Sequence, residues 1–192
     1  WCDRESLSLS ARLELFQEVC HAVQHAHQKG LLHRDLKPSN VLVTKAGQRV
    51  APKLIDFGIA RALEQEVGSA ALTETGMMLG TPAYMAPEQA RGDLAAIDTR
   101  TDVYALGAIL YELLTGMSPL AGDSAQVAGP WELRRRILEG ETIRPSLTVR
   151  QDPGSLVTRA AARRLAVSSW TRQLRLDLDW IVLKAMAKEP DQ

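Results

Sequence analysis

Cysteine is scarce in this sequence, and neither charge is in excess. Two cysteines among 192 residues are too few for a disulfide scaffold and are typical of a reducing compartment. The 23 lysine and arginine residues equal the 23 aspartate and glutamate residues, so the chain has no general attraction for nucleic acid or anionic lipid. The longest apolar stretch, residues 103–114, is short for a bilayer crossing. With 45% apolar and 24% charged residues, the composition is that of a globular domain rather than a disordered one.

The spacing of apolar residues predicts a mainly helical fold. Apolar side chains recur every three to four positions along residues 9–29, where Ser8 is a suitable helix cap and Gly30 a suitable helix end. Further helices are predicted over residues 101–115, 131–138 and 178–188. The first of these is apolar on several sides, which is typical of a helix at the centre of a helical domain.

The remaining segments predict one hairpin, one long loop and one insertion. Two β-prone runs, residues 40–44 and 53–56, predict a small hairpin around a turn at 45–48. Residues 58–80 show no sustained period, and a connection of this length is usually functional or disordered. Residues 141–175 combine proline and glycine with a stretch rich in alanine and arginine, and we interpret them as an insertion.

Three short motifs carry the chemical signal of the sequence. They are HRDLKPSN at residues 33–40, DFG at 56–58 and GTPAYMAPE at 80–88. In this order they resemble the catalytic loop, the metal-binding turn and the substrate-side loop of eukaryotic-type (Hanks-type) serine/threonine protein kinases. Residues 177–184 resemble bacterial members of that family. The resemblance covers nearly the whole chain and implies a protein kinase catalytic domain, with an activation segment over residues 56–88.

The resemblance implies transfer of the γ-phosphate of ATP to serine and threonine hydroxyls of protein substrates. By this resemblance Asp35 accepts the substrate proton, and Lys37 places a positive charge beside the transferred phosphate. Asn40 and Asp56 correspond to the ligands of Mg²⁺, or of Mn²⁺ in its place, since such cations prefer oxygen donors. Because Asp35, Lys37 and Asn40 lie on one short loop, base, cation and metal ligand can converge on one reacting centre.

Other residues are expected to support this centre. By the same resemblance, Leu42 lies beneath the adenine ring of ATP. His33 and Phe57 are expected to pack the catalytic loop and the metal-binding turn against the core, and Gly58 gives that turn conformational freedom. Asp102, at the start of a buried helix, is expected to accept backbone N–H groups of the catalytic loop, with simple helix capping as the alternative or additional role.

The resemblance also implies regulatory and substrate-side residues. Arg34 corresponds to the cation that pairs with a phosphorylated activation loop, and Thr73 and Thr75 are the candidate phosphate acceptors. For each threonine, a solvated position in a loop is the alternative. Thr81 resembles the threonine that bonds the catalytic aspartate and lysine in kinases that phosphorylate serine and threonine. The presence of Lys37 agrees with that specificity.

Parts of a complete kinase are not found in the sequence. No Gly-x-Gly-x-x-Gly motif occurs, and 32 residues precede His33, too few for the small nucleotide-binding lobe. The arginine that pairs with the position of Glu88 in this family is not found either. We therefore expect the C-terminal lobe of a longer kinase, with the N-terminal lobe absent from residues 1–192 and supplied in cis, and with little activity in isolation. A non-catalytic kinase-like interaction module is the alternative.

Two arginine clusters, residues 134–136 and 163–164, lack interleaved aromatic residues. In a neutral chain we interpret them as solvated or peptide-docking surfaces rather than as sites for nucleic acid. The expected partners are therefore protein substrates. We expect the kinase domain to be cytoplasmic, and the sequence leaves open whether the full-length protein carries a membrane anchor.

Overall fold

The chain folds as helices around one small antiparallel sheet. The structure, a computed structural model, describes residues 1–47, 49–57, 82–120, 129–175 and 177–189. Its helices are α1 Leu9–Gln28, α2 Pro87–Arg91, α3 Thr99–Thr115, α4 Pro130–Glu139, α5 Pro145–Thr148, α6 Pro153–Ala161, α7 Val167–Leu174 and α8 Asp177–Ala185. The strands are β1 Val41–Ala46 and β2 Arg49–Leu54, and short 3-10 turns lie at Pro38–Asn40, Pro82–Tyr84 and Leu94–Ala96. These elements confirm the predicted mainly helical class with a small hairpin.

Helix α1 follows its prediction to within one residue. The side chain of Ser8 caps it by accepting a hydrogen bond from the backbone N–H of Ala11, at 3.3 Å. Gly30 lies just beyond its end with a φ of +73°, a left-handed conformation that glycine adopts without steric cost. Of the helices within the described ranges, none is both long enough and apolar enough to cross a membrane.

The hairpin is longer than predicted and its turn is shorter. Residues 41–46 pair with residues 49–54 in antiparallel register, from Val41 opposite Leu54 to Ala46 opposite Arg49. The predicted turn at 45–48 is wrong by two residues, because pairing continues until only positions 47 and 48 connect the strands. Gly47, with a φ of +63°, permits the chain to reverse there.

Helix α3 lies at the centre of the fold, as its apolar pattern predicted. Its buried side chains occur on several sides of the helix. The helix begins two residues before its predicted start, because Asp98 caps it by accepting a hydrogen bond from the N–H of Arg100 at 2.7 Å. Helices α1 and α8 pack against it, and its first turn faces the loop that connects α1 with β1.

The segment predicted as an insertion, residues 141–175, forms α5, α6 and α7 and contributes to the main core. Val149, Ala160, Trp170 and Leu174 all belong to the largest cluster of buried apolar residues. The indole Nε1 of Trp170 donates a hydrogen bond to the carbonyl of Leu114 at the end of α3, at 3.1 Å. The segment therefore contributes to the core of this fold, and its status as an insertion stays a prediction.

The interpretation of residues 163–164 as a solvated surface is wrong for Arg163, which is 1% exposed. Its guanidinium donates to the carbonyl of Leu113 from Nε and Nη2, at 3.1 and 2.9 Å. Arg12, also buried, donates to the carbonyl of Ala162 at 2.7 Å. Oδ1 of Asp3 lies 2.7 Å from Nη1 of Arg12 and 3.7 Å from Nη1 of Arg163. Burial, and then repulsion from Arg12, lower the pKa of Arg163 to about 10, so it stays charged at neutral pH.

Both cysteines are free thiols that are partly buried. Burial raises the pKa of each of them, and that of Cys20 reaches about 11. Since the thiolate is the reactive form, neither cysteine has the character of a reactive or catalytic thiol at neutral pH.

Candidate active site

The loop between α1 and β1 is fixed by a buried carboxylate from α3. Asp102 accepts the backbone N–H of His33 on Oδ2, at 2.9 Å, and that of Arg34 on Oδ1, at 2.8 Å. Arg34 has a φ of +62°, in the left-handed region that residues with a Cβ rarely adopt. Hydrogen bonds to a charged acceptor are the stronger kind, so Asp102 stabilises this backbone shape directly before Asp35.

His27 is a member of this network that the sequence analysis did not identify. Its Nε2 donates to Oδ2 of Asp102 at 2.7 Å, so the buried carboxylate has a third donor. The two residues are 75 positions apart. The sequence contained one weak signal for His27, which is its position near the end of α1, six residues before His33.

Three residues predicted for the site come together on the catalytic loop. Nζ of Lys37 lies 2.8 Å from Oδ2 of Asp35, and both side chains are 21% exposed. Nδ2 of the buried Asn40 donates to the backbone carbonyl of Asp35 at 2.9 Å and to its Oδ2 at 3.2 Å. Because both partners of Asn40 are pure acceptors, its amide nitrogen must face Asp35 and its Oδ1 must face away.

Ile55, the residue that follows β2, is bound to the same loop through both its backbone N–H and its carbonyl. The N–H of Ile55 donates to the carbonyl of Asn40 at 3.0 Å. Its carbonyl accepts from Nε2 of His33, also at 3.0 Å. Asp56 follows immediately, exposed and with a φ of +56°. The centroids of the Phe57 and His33 rings lie 4.6 Å apart. These contacts place the Asp56 backbone beside the loop that carries Asp35 and Asn40.

The donor set of Asn40 and Asp56 suits a hard cation. An amide oxygen and a carboxylate are both oxygen ligands, and Mg²⁺ characteristically takes one or two protein carboxylate or amide oxygens and completes its shell with phosphate and water. Within the described ranges, no three His, Cys, Asp or Glu side chains cluster closely enough to hold a metal alone. Leu42, on β1, is 48% exposed, so an apolar face is available on the strand that follows the catalytic loop.

The segment from residue 82 to residue 91 is anchored to α3 by two carboxylates. Oε1 of Glu88, in α2, accepts a hydrogen bond from the hydroxyl of Thr101 at 2.5 Å. The hydroxyl of Tyr84 donates to Glu112. Burial, and then this hydrogen bond to Glu112, raise the pKa of the Tyr84 phenol. Glu88, for which the sequence analysis named only an arginine partner, therefore has a partner within the described residues.

Part of the predicted site lies outside the described residues. These positions are Gly58, Thr73, Thr75 and Thr81. Arg34, the predicted partner of a phosphate on Thr73 or Thr75, is partly buried on the catalytic loop. The described part of the site thus consists of the catalytic loop, the end of β2, the first turn of α3 and the segment from residue 82 to 91.

Comparison with known proteins gives consistent matches. The chain matches the family described as Protein kinase domain over residues 3–162. It is 37% identical over 179 residues to serine/threonine-protein kinase PknB of Mycobacterium leprae and 40% identical to that of Mycolicibacterium smegmatis. Each alignment covers 93% of this chain and 23% of the relative. The chain thus spans about a quarter of the length of these curated relatives.

A solved structure gives the same result for the fold. The kinase domain of Mycobacterium tuberculosis PknI superposes with a TM-score of 0.54 and 25% sequence identity. The match covers 96% of this chain and 49% of the PknI chain. The family match extends over most of the sequence, and it includes the loop on which Asp35, Lys37 and Asn40 converge. The chain belongs to the protein kinase family, and its relatives are bacterial serine/threonine kinases of the Hanks type.

Proposed function

We propose that this chain forms the C-terminal lobe of a serine/threonine protein kinase that transfers the γ-phosphate of ATP to protein hydroxyls. The observation that carries the proposal is the convergence of Lys37 and Asn40 on one carboxylate oxygen of Asp35. Phosphoryl transfer requires mainly positioning and charge stabilisation, and a base, a cation and a metal ligand within one loop provide both.

Asp35 is the proposed proton acceptor for the substrate hydroxyl. Its carboxylate is held in one orientation by Lys37, at 2.8 Å, and by Asn40, at 3.2 Å. Its backbone is held by Asn40 from one side and follows the left-handed residue Arg34 on the other. Lys37 stays close enough to reach a transferred phosphoryl group beside Asp35, where its positive charge stabilises the developing negative charge.

Asn40 and Asp56 are the proposed ligands of Mg²⁺, or of Mn²⁺ in its place. When bound, the cation neutralises phosphate charge and orients the phosphates of ATP. The amide of Asn40 is already turned so that its oxygen faces away from Asp35. Leu42 is the proposed apolar contact of the adenine ring, and Thr81 the proposed substrate-side partner of Asp35 and Lys37.

The nucleotide cleft of a kinase is closed by a second lobe, which we propose is supplied in cis. Two observations support this. The chain covers 49% of the PknI kinase domain, and the described residues contain one two-stranded sheet but no glycine-rich loop. We refer below to these 192 residues together with their nucleotide-binding lobe as the complete kinase.

A phosphotransfer assay tests the proposed function. The complete kinase, with Mg-ATP and a generic basic protein, is expected to yield phosphoserine and phosphothreonine but no phosphotyrosine. Residues 1–192 alone are expected to bind ATP poorly, since half of the cleft is missing. A complete kinase that binds its partners but transfers no phosphate would favour the interaction module. A low-micromolar Kd for ATP with residues 1–192 alone would overturn the need for a second lobe.

Arg34 is the proposed receptor for a phosphate on Thr73 or Thr75, which orders the activation segment. Alanine at both threonines is expected to lower the rate of the complete kinase by about 5- to 150-fold, the usual range of coupling between sites. The steady-state rate of phosphorylation of the basic protein measures this loss of activity. The matched control is Thr44→Ala, an exposed threonine on β1. Equal rates for the double variant and the control would exclude the regulatory role.

A further inference from the structure

Gln89, in α2, makes two hydrogen bonds that point in different directions. Its Oε1 accepts the backbone N–H of Ala86 at 3.1 Å, which caps α2. Its Nε2 donates to the backbone carbonyl of Arg34 at 2.7 Å, across 55 positions of sequence. Neither the motifs nor the apolar pattern identified this residue. A single amide thus connects the substrate-side segment, residues 82–91, with the catalytic loop.

The backbone of Arg34 needs such support. A φ of +62° is unfavourable for a residue with a Cβ, because the Cβ approaches the carbonyl oxygen that follows it. The N–H of Arg34 is held by Asp102 at 2.8 Å, and its carbonyl is held by Gln89 at 2.7 Å. Two side chains from different helices therefore hold both polar groups of this strained residue.

The carbonyl held by Gln89 belongs to the peptide bond that joins Arg34 to Asp35. Because a peptide bond is planar, fixing its oxygen also fixes the direction in which the chain enters Asp35. Gln89 shares a narrow crevice with Arg34, Asp35 and Asp102, so this hydrogen bond is made beside the residue that accepts the substrate proton in the proposed function. Small displacements of a catalytic group of this kind have large effects on rate.

We propose that Gln89 is a positioning residue for Asp35. It couples the segment that receives the protein substrate to the orientation of the proton acceptor, and this role rests on the proposed function. The alternative is that Gln89 only caps α2. The two roles use different atoms of one amide, Nε2 for the catalytic loop and Oε1 for the cap, and a substitution can separate them.

Gln89→Glu is the separating variant, because it keeps the Oε1 acceptor and removes the Nε2 donor. In the complete kinase we expect kcat to fall by about 10- to 100-fold, with the KM for ATP unchanged and the thermal midpoint close to wild type. Gln89→Ala, which removes both bonds, is expected to lose at least as much kcat and some stability as well. Gln173→Glu is the matched control, since it makes the same change from amide to carboxyl at an exposed position of α7. Its kcat is expected to stay within about twofold of wild type.

A pH series gives a readout that a purely structural role would not produce. A protonated glutamate carries an O–H that can donate to the Arg34 carbonyl. The rate of Gln89→Glu relative to wild type is therefore expected to rise as the pH falls toward the ordinary carboxyl pKa of about 4.3. If Gln89→Glu has the wild-type kcat, the proposal is wrong and Gln89 only caps α2. This conclusion holds whether or not Gln89→Ala is less stable than the wild type.

Asp35→Asn, measured in the same assay, separates this proposal from the proposed function. If Asp35→Asn retains the wild-type rate, Asp35 is not the proton acceptor, and the positioning role of Gln89 fails together with that part of the proposed function. If Asp35→Asn removes activity while Gln89→Glu does not, the proposed function stands and only the positioning role of Gln89 fails.

Discussion

Replacing Asp35 with asparagine is expected to lower the kcat of the complete kinase by about 10²- to 10⁴-fold, the usual contribution of a positioned general base. The amide has nearly the same shape as the carboxylate but does not accept a proton at neutral pH. Its remaining oxygen can still accept the hydrogen bond of Asn40, which lies 3.2 Å from Oδ2 in the native site. The substitution therefore changes the chemistry of the loop more than its structure.

The measurement is the initial rate of phosphate transfer from Mg-ATP to a basic protein, with ATP affinity followed separately. Asp177→Asn is the matched control, because Asp177 is exposed in the first turn of α8 and remote in sequence from the loop. We expect the control to retain the wild-type rate and Asp35→Asn to bind ATP as the wild type does. A rate for Asp35→Asn within about twofold of the control would contradict the assignment of Asp35 as proton acceptor.

Replacing Trp170 with alanine is expected to destabilise the fold by about 3 to 5 kcal/mol, which is a large part of the stability of a typical domain. Trp170 is fully buried, and its indole donates to the carbonyl of Leu114. The guanidinium groups of Arg159 and Arg163 lie 5.9 and 5.3 Å from the centre of its ring. Alanine would leave a cavity and an unsatisfied carbonyl, and the buried Arg163 and the partly buried Arg159 would lose their aromatic contact.

Urea denaturation followed by circular dichroism measures this loss of stability. The chain offers a matched control in Trp180, which is 65% exposed on α8. Trp180→Ala is expected to change the free energy of unfolding by no more than about 0.5 kcal/mol. If the two alanine variants unfold at the same urea concentration, residues 141–175 do not belong to the cooperative core.

The parts of the fold that follow local rules were predictable from the sequence. Helix α1 has a regular apolar stripe, a serine cap and a glycine after its end, and its bounds were predicted within one residue. Residues 141–175 were not recognised as core, because their helices span only four to nine residues and two of them begin at a proline, which in sequence is typical of a break between elements. Trp170 also packs against α3, where the carbonyl of Leu114 accepts its indole N–H from 56 positions away in sequence.

The site shows the same division between local and distant contacts. Asp35, Lys37 and Asn40 lie within six consecutive residues, so a motif identified them and the loop geometry brings them together. His27 and Gln89 were missed because their hydrogen bonds span 75 and 55 positions. Nothing in the neighbourhood of either residue in the sequence indicates its partner, since that pairing arises only when α1, α2 and α3 are assembled.

The hydrogen bond from Arg12 to the carbonyl of Ala162 has a consequence for the order in which the chain assembles during synthesis. The two residues are 150 positions apart. At about 5 to 20 residues per second, α1 leaves the ribosome roughly 8 to 30 s before Ala162 does. A guanidinium is not buried without its partners, because the desolvation cost is several kcal/mol. Helix α1 is thus made well before residues 162 and 163, but it reaches its final packing only after they have emerged.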